Sequence, residues 1–347
     1  MNSQKSSGFF AFLLACVLAI FLGACSASPN PAAFTPLPTM ALSTITATAT
    51  PVPPTSTNTA SSTVSPTEEV KISATATATP RPISARFAVI GDYGAAESAE
   101  EDVSNLVKSW GPDFIITTGD NNYPNGAAGS IDANIGQYYF EYIYPYMGSF
   151  GEGGGPNRFF PCLGNHDWNS PDAQPYLDYF ALPGNERYYD FTWGPVHFFA
   201  LDSDSREPDG VGASSTQAAW LKTALADSTA AWKIVYMHHP PYSSGNHGSI
   251  DWARWPFQQW GATAVLAGHD HDYERLLIDG FPYFVNGLGG GLIYQFDDIL
   301  PGSQSRYNGD YGAMLVDATK DSLSFQFITR TGSVIDTYTI SKGGVIR

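Results

Sequence analysis

The stretch Ala264-Val265-Leu266-Ala267-Gly268-His269-Asp270-His271 decides how the rest of the chain is read. Its apolar run, Ala264–Leu266, has the length of a buried strand, and three residues of metal-ligand type follow it. Outward from there the pattern recurs four times. Phe87–Ile90 leads to Asp92, Phe114–Ile116 to Asp120, Phe159–Leu163 to Asn165-His166, and Ile234–Met237 to His238-His239. Ligands of open α/β sheets bind beyond the carboxyl ends of the strands, so five such exits mark one candidate site. The histidines sharpen the reading. Of seven, His166, His238, His239, His247, His269 and His271 lie at these exits or in the loop after one. His197 sits inside another apolar run, Val196–Leu201, where a hydrogen-bonded core histidine is expected.

Helical patterns separate the runs. Val103, Leu106, Val107 and Trp110 recur at i, i+3, i+4 and i+7, with Ser98 and Glu101 spaced as a capping box. Trp220, Leu221, Ala224 and Leu225 repeat the pattern behind Ser214 and Gln217. From about residue 281 strands follow one another: Tyr283–Val285, Ala313–Val316, Leu323–Ile328 and Val334–Ile340. Mixed elements followed by a β-rich tail predict an α/β fold, a layered sheet sandwich with helices outside.

The N-terminal part is of another kind. Residues 1–25 hold Lys5 and the apolar run Phe9–Leu22, a signal-peptide core too short for a comfortable membrane span. Leu22-Gly23-Ala24-Cys25 resembles a bacterial lipobox, whose cysteine takes the lipid; an ordinary signal peptide cut nearby is the alternative. Either reading places the mature protein outside the cytoplasm, and the first has it meet the membrane only through a lipid anchor. Residues 26–83 are almost all Thr, Ser, Ala and Pro, which predicts a disordered stalk, because no apolar period offsets the entropy of ordering. Residues 84–347 remain as one domain long enough to bury a core. The formal charge of −16 lies essentially all there and argues against a nucleic-acid partner. With Cys16 in the signal segment and Cys25 as the anchor, Cys162 has no disulfide partner; a buried apolar role is expected, a reactive thiol being the alternative.

Five segments taken in order carry a specific resemblance. Gly91-Asp92-Tyr93-Gly94, Gly119-Asp120-Asn121-Asn122-Tyr123, Gly164-Asn165-His166-Asp167, Met237-His238 and Gly268-His269-Asp270-His271 resemble the five-block signature of purple acid phosphatases. These belong to the calcineurin-like metallophosphoesterases. The resemblance covers roughly residues 86–291 and continues into the β-rich tail. It implies a four-layer α/β/β/α sandwich of two mixed sheets. It also implies a dinuclear centre in which Asp92, Tyr123 and His271 hold Fe(III), and Asn165, His238 and His269 hold Zn, Fe(II) or Mn(II). Asp120 would bridge the two. Hard carboxylate and phenolate oxygens suit a trivalent ion, and imidazoles suit the divalent one. Two positions set this pattern apart from the wider superfamily: Gly94 stands where most members have a histidine, and Tyr123 where most lack a tyrosine.

The same resemblance makes His166 and His247 the residues that grip the phosphate and protonate the leaving alkoxide. It implies acid-phosphatase-like hydrolysis of small phosphate monoesters. A Mn/Zn phosphodiesterase or nucleotidase is the alternative, and a non-catalytic surface metal-binding protein a second one. His239 is expected to face away, Asp270 to be solvated, and Tyr273-Glu274-Arg275 to be structural. Gly289-Gly290-Gly291 reads as a tight turn beside the metals, since no Lys-Ser/Thr follows it as in a phosphate loop. Tyr138-Tyr139-Phe140, Tyr142, Tyr144 and Tyr146 are expected to pack on a helix; walling the substrate mouth is their alternative role. Plant members carry an extra β-sandwich domain where this chain has its stalk, so nothing in the sequence indicates an oligomeric state.

Overall fold

The structure, a computed structural model, describes residues 83–342 and the backbone of 344–346. The expected signal peptide, the Cys25 anchor and all of the expected stalk except Ile83 lie outside the described residues. Strand β1 (Ser84–Ile90) shows how the layers arise. Phe87 and Val89 enter one apolar core with Phe198, Ile234 and Leu266, whereas Ala88 and Ile90 enter another with Val103 and Val107. A strand covered on both faces needs apolar residues throughout, so its sequence shows a run and not an alternation.

The chain continues through α1 (Ser98–Ser109), β2 (Phe114–Thr117), α2 (Gln137–Tyr139), β3 (Phe159–Pro161), α3 (Gln174–Tyr179), β4 (Tyr189–Trp193) and β5 (Val196–Ala200). Next come α4 (Thr216–Asp227), β6 (Trp232–Tyr236), α5 (Phe257–Trp260), β7 (Ala264–Ala267), β8 (Tyr273–Ile278) and β9 (Phe281–Asn286). The tail is β10 (Ser303–Tyr307), β11 (Gly312–Thr319), β12 (Ser322–Thr329), β13 (Val334–Ser341) and β14 (Gly344–Ile346).

These strands form two seven-stranded sheets, ordered β14-β13-β12-β11-β1-β2-β3 and β10-β8-β9-β7-β6-β5-β4. In the first, β1, β2 and β3 are parallel; in the second, β5, β6, β7 and β9 are parallel. Antiparallel partners extend both. The sheets pack face to face over an aromatic core in which the Phe198 ring meets Phe87 and Phe114 edge-on, at 4.9 and 5.2 Å. Val103 and Val107 of α1 with Ile131–Tyr142 cover the outer face of the first sheet; Leu221 and Leu225 of α4 with Phe257 cover that of the second. This is the expected four-layer α/β/β/α sandwich of two mixed sheets.

Local details differ from expectation. Ser98 lies inside α1, whose N-cap is Glu97 without a side-chain cap bond, while the buried Glu100 accepts from the amides of Ala95 and Ala96. The α4 cap is Ser215, one residue later than expected, and its hydroxyl accepts from Ala218 N. Tyr138, Tyr139 and Tyr142 pack in the core beneath the first sheet. Tyr273 and Arg275 both bond Asp336, and Glu274 holds Ser244, so that segment is structural. Among the described residues no helix is long and apolar enough to cross a membrane.

Candidate metal centre

Parallel strands place their carboxyl ends together, and the two sheets present theirs along one edge. Asp92, Asp120 and Asn165 follow β1, β2 and β3; His238, His269 and His271 follow β6 and β7. Three of these six, Asp92 (φ 54°), Asp120 (φ 53°) and His269 (φ 71°), adopt the left-handed backbone conformation. Non-glycine residues in that region cost about 1–3 kcal/mol each and gather where side chains must be aimed.

The side chains form two adjoining groups. In the first, Tyr123 Oη donates to Asp120 Oδ2 (3.0 Å) and lies 3.4 Å from Asp92 Oδ1 and 3.0 Å from His271 Nε2. Ligand atoms of Asp92, Asp120 and His271 all fall within 4.8 Å of one another. In the second, His238 Nε2 lies 2.9 Å from Asn165 Oδ1, 3.2 Å from His269 Nδ1 and 3.5 Å from Asp120 Oδ1. The two oxygens of Asp120 therefore address the two groups separately. All seven residues named from the sequence come together.

Partners outside the groups fix which imidazole nitrogen faces inward. His238 Nδ1 meets the Thr118 carbonyl at 2.8 Å, and His271 Nδ1 meets that of Leu292. Carbonyls only accept, so both Nδ1 atoms carry a proton and both Nε2 atoms face into the site, an orientation that suits metal-binding histidines. Electrostatics add to this. Burial, then Asp120 and Asp92, hold the Tyr123 phenol far above its usual range. Burial, then His238, drives His269 far below its own. A phenol, two buried carboxylates and three imidazoles gathered in one place make a donor set that fits cations.

The Tyr123 loop explains Gly94. The Gly94 carbonyl accepts from Tyr123 N (2.7 Å) and Asn134 Nδ2 (2.8 Å), and a Cβ at Gly94 would lie 1.7 Å from the Asn121 carbonyl. A side chain at 94 and this loop cannot coexist. Asp167, buried and pushed up to about 6 by desolvation and then by Asp120, accepts from Asn121 N, Asn121 Nδ2 and Gly164 N, tying the second block to the third.

His166 and His247 stand at the solvent side. His166 Nδ1 meets the Pro124 carbonyl at 2.6 Å, leaving Nε2 3.9 Å from Asp120 Oδ2. The His247 ring stacks on His269 at 4.2 Å, with its Nδ1 3.1 Å from Asp270 Oδ1. Two expectations are corrected. Asp270 is not solvated: it is fully buried, accepting from His247 N at 2.7 Å and paired with Ser243 Oγ at 2.5 Å. His239 does not face away: its ring lies 4.6 Å from that of His269, bonded to Ser203 Oγ, and burial followed by His238 lowers it to about 3. Cys162 is a free, buried thiol pushed far up by burial. His197 is a hydrogen-bonded histidine between Asp190 and Ser228. Gly289, Gly290 and Gly291 turn tightly beside Asp92 and His271.

The chain is 26% identical over 248 residues to tartrate-resistant acid phosphatase type 5 of Mus musculus, covering 60% of this chain and 73% of that one. It is 25% identical over 301 residues to purple acid phosphatase 17 of Arabidopsis thaliana, covering 75% and 85%. Among solved structures, purple acid phosphatase PPD1 from yellow lupin (Lupinus luteus) seeds superposes with a TM-score of 0.61 at 18% identity. That match covers 75% of this chain but only about half (54%) of the lupin chain. GAP50, the anchor in the inner membrane complex of Plasmodium, shares the fold with a TM-score of 0.59 at 18% identity, covering 76% and 90%. Residues 85–273, more than half of the sequence and all five blocks bar none, match the calcineurin-like phosphoesterase family, and the chain belongs to it.

Proposed function

We propose that this phosphoesterase hydrolyses phosphate monoesters at a dinuclear centre pairing Fe(III) with a divalent ion, Zn, Fe or Mn. The observation that carries the reading is Asp120, whose two oxygens face two separate donor groups, one of which contains Tyr123. Asp92, Tyr123 and His271 would hold the trivalent ion, and Asn165, His238 and His269 the divalent one. Bound there, the pair would neutralise phosphoryl oxygens and yield hydroxide from water at low pH.

The chain's own residues supply the rest. His166 and His247, half-exposed above the centre, would hold the phosphate oxygens. Asp270 fixes the His247 ring through Nδ1, leaving Nε2 to give a proton to the departing alkoxide. Cys162, buried with its thiol pushed up, offers no competing nucleophile. Fold alone does not decide the matter, since GAP50 shares it and is described as an anchor; the filled ligand set favours an enzyme.

A phenolate bound to Fe(III) absorbs visible light, whereas Zn or Mn in its place gives no comparable band. Iron-loaded protein is therefore expected to be coloured, and Tyr123→Phe to bleach it while the far-ultraviolet circular dichroism stays unchanged. Colourless wild-type protein with both sites occupied by measured iron would refute the tyrosinate. Comparable turnover of a monoester and a diester would favour the phosphodiesterase reading, and fully metallated protein that hydrolyses neither ester the non-catalytic one.

A further inference from the structure

Beside the centre, a cleft of about 250 Å³ runs from Tyr123, His166 and His271 onto Leu292 and Tyr294. Pockets for drug-sized ligands span about 300–1,000 Å³, so this one is of the size for a single ring beside the phosphate. Leu292 is 75% exposed, an apolar side chain held in water at the mouth. The Tyr294 ring lies flat on His271, 4.1 Å away and 8° from parallel, and meets His247 at 5.3 Å. A leaving group that takes its proton from His247 therefore lies next to Tyr294.

The wall is pinned to the centre. Gly289 N donates to the Gly91 carbonyl (3.0 Å), Gly291 N to that of Asp92 (2.7 Å) and Tyr294 N to that of His271 (3.0 Å). The His271 ring donates to the Leu292 carbonyl. Both residues thus keep a fixed place relative to the candidate ligands. The charge pattern narrows the occupant further. None of the described residues lining the cleft is Lys or Arg, and Glu97 stands among them. A second phosphate would find no guanidinium or ammonium there to pair with.

We propose that Leu292 and Tyr294 form a subsite for a flat, uncharged aromatic leaving group, so that aryl phosphate monoesters are taken in preference to alkyl phosphates and polyphosphates. This rests on the proposed function of the centre. Contact with an aromatic face and burial of Leu292 together favour the aryl group by about tenfold.

The test uses metal-loaded protein and compares kcat/KM for phenyl phosphate, for a fluoroalkyl phosphate with a similarly acidic alcohol, and for pyrophosphate. The aryl ester is expected to lead by about tenfold, and Leu292→Asp and Tyr294→Ala each to cut the aryl-to-alkyl ratio by about tenfold. Tyr294→Phe, which keeps the ring, retains the preference. Inhibition by phenylphosphonate against methylphosphonate reads the same subsite without turnover, and Leu292→Asp should close that gap. Equal kcat/KM for aryl and alkyl esters, or a ratio that Leu292→Asp leaves unchanged, overturns the subsite alone. Fully metallated protein that hydrolyses none of the esters overturns the proposed function, while the phosphonate pair still decides the subsite.

Discussion

His247 reaches its place by way of Asp270. One carboxylate oxygen holds both the His247 amide and its ring Nδ1, and the other is paired with Ser243. The ring also stacks on His269, so its orientation is set from two sides. If that orientation serves proton donation, His247→Ala should lose far more on poor leaving groups than on good ones, by about 10²–10⁴-fold. Steady-state rates over a leaving-group series check this, and an equal loss across the series would leave His247 as a phosphate contact only. Six of the candidate ligands were legible as residues standing just past an apolar run, whereas Tyr123 came only through the five-block resemblance. Asp270 was not, because the residue between two ligands carries no mark of its orientation. Nor was His239: its adjacency to His238 says nothing about which ring it will buttress.

Among the elements, one tightly constrained junction is where the turn after β1 meets the loop after β2. Asn134 Nδ2 reaches the Gly94 carbonyl, Asn122 Oδ1 and the Tyr123 carbonyl at 2.8–2.9 Å, locking the loop that carries Tyr123. A methyl group at 94 would strike the Asn121 backbone, which has no rotamer to yield. Gly94→Ala is therefore expected to destabilise the domain by about 1–3 kcal/mol. Urea denaturation would register this as a lower midpoint at an unchanged slope, and an unaltered midpoint would mean that the two turns are free to separate. The inner strands were readable because burial on both faces makes them apolar throughout. Strand β10, Ser303–Tyr307, was not, since its Ser, Gln and Arg residues give it an exposed-edge composition. The helix caps shifted because Glu100 serves the Ala95 and Ala96 amides at the start of α1, and because Ser214 and Ser215 are adjacent and equivalent in sequence.

Across the whole molecule, the centre draws Asp92, Tyr123, Asp120 and Asn165 from the sheet that contains β1, and His238, His269 and His271 from the sheet that contains β6. Cations held there would act as rivets through two plates. They would oppose any shear of one sheet across the other, and tight binding adds its own free energy to folding, about 4.1 kcal/mol when the free ion stands at 1,000 times its Kd. Chelation should thus expose the aromatic layer between the plates to proteases at temperatures where metallated protein resists. Gel analysis of timed digests reads this directly, and identical digestion with and without chelator would show that the plates hold without their rivets. On this view a metal-starved cell would lose the phosphoesterase through its lifetime, by degradation, as well as through its catalysis.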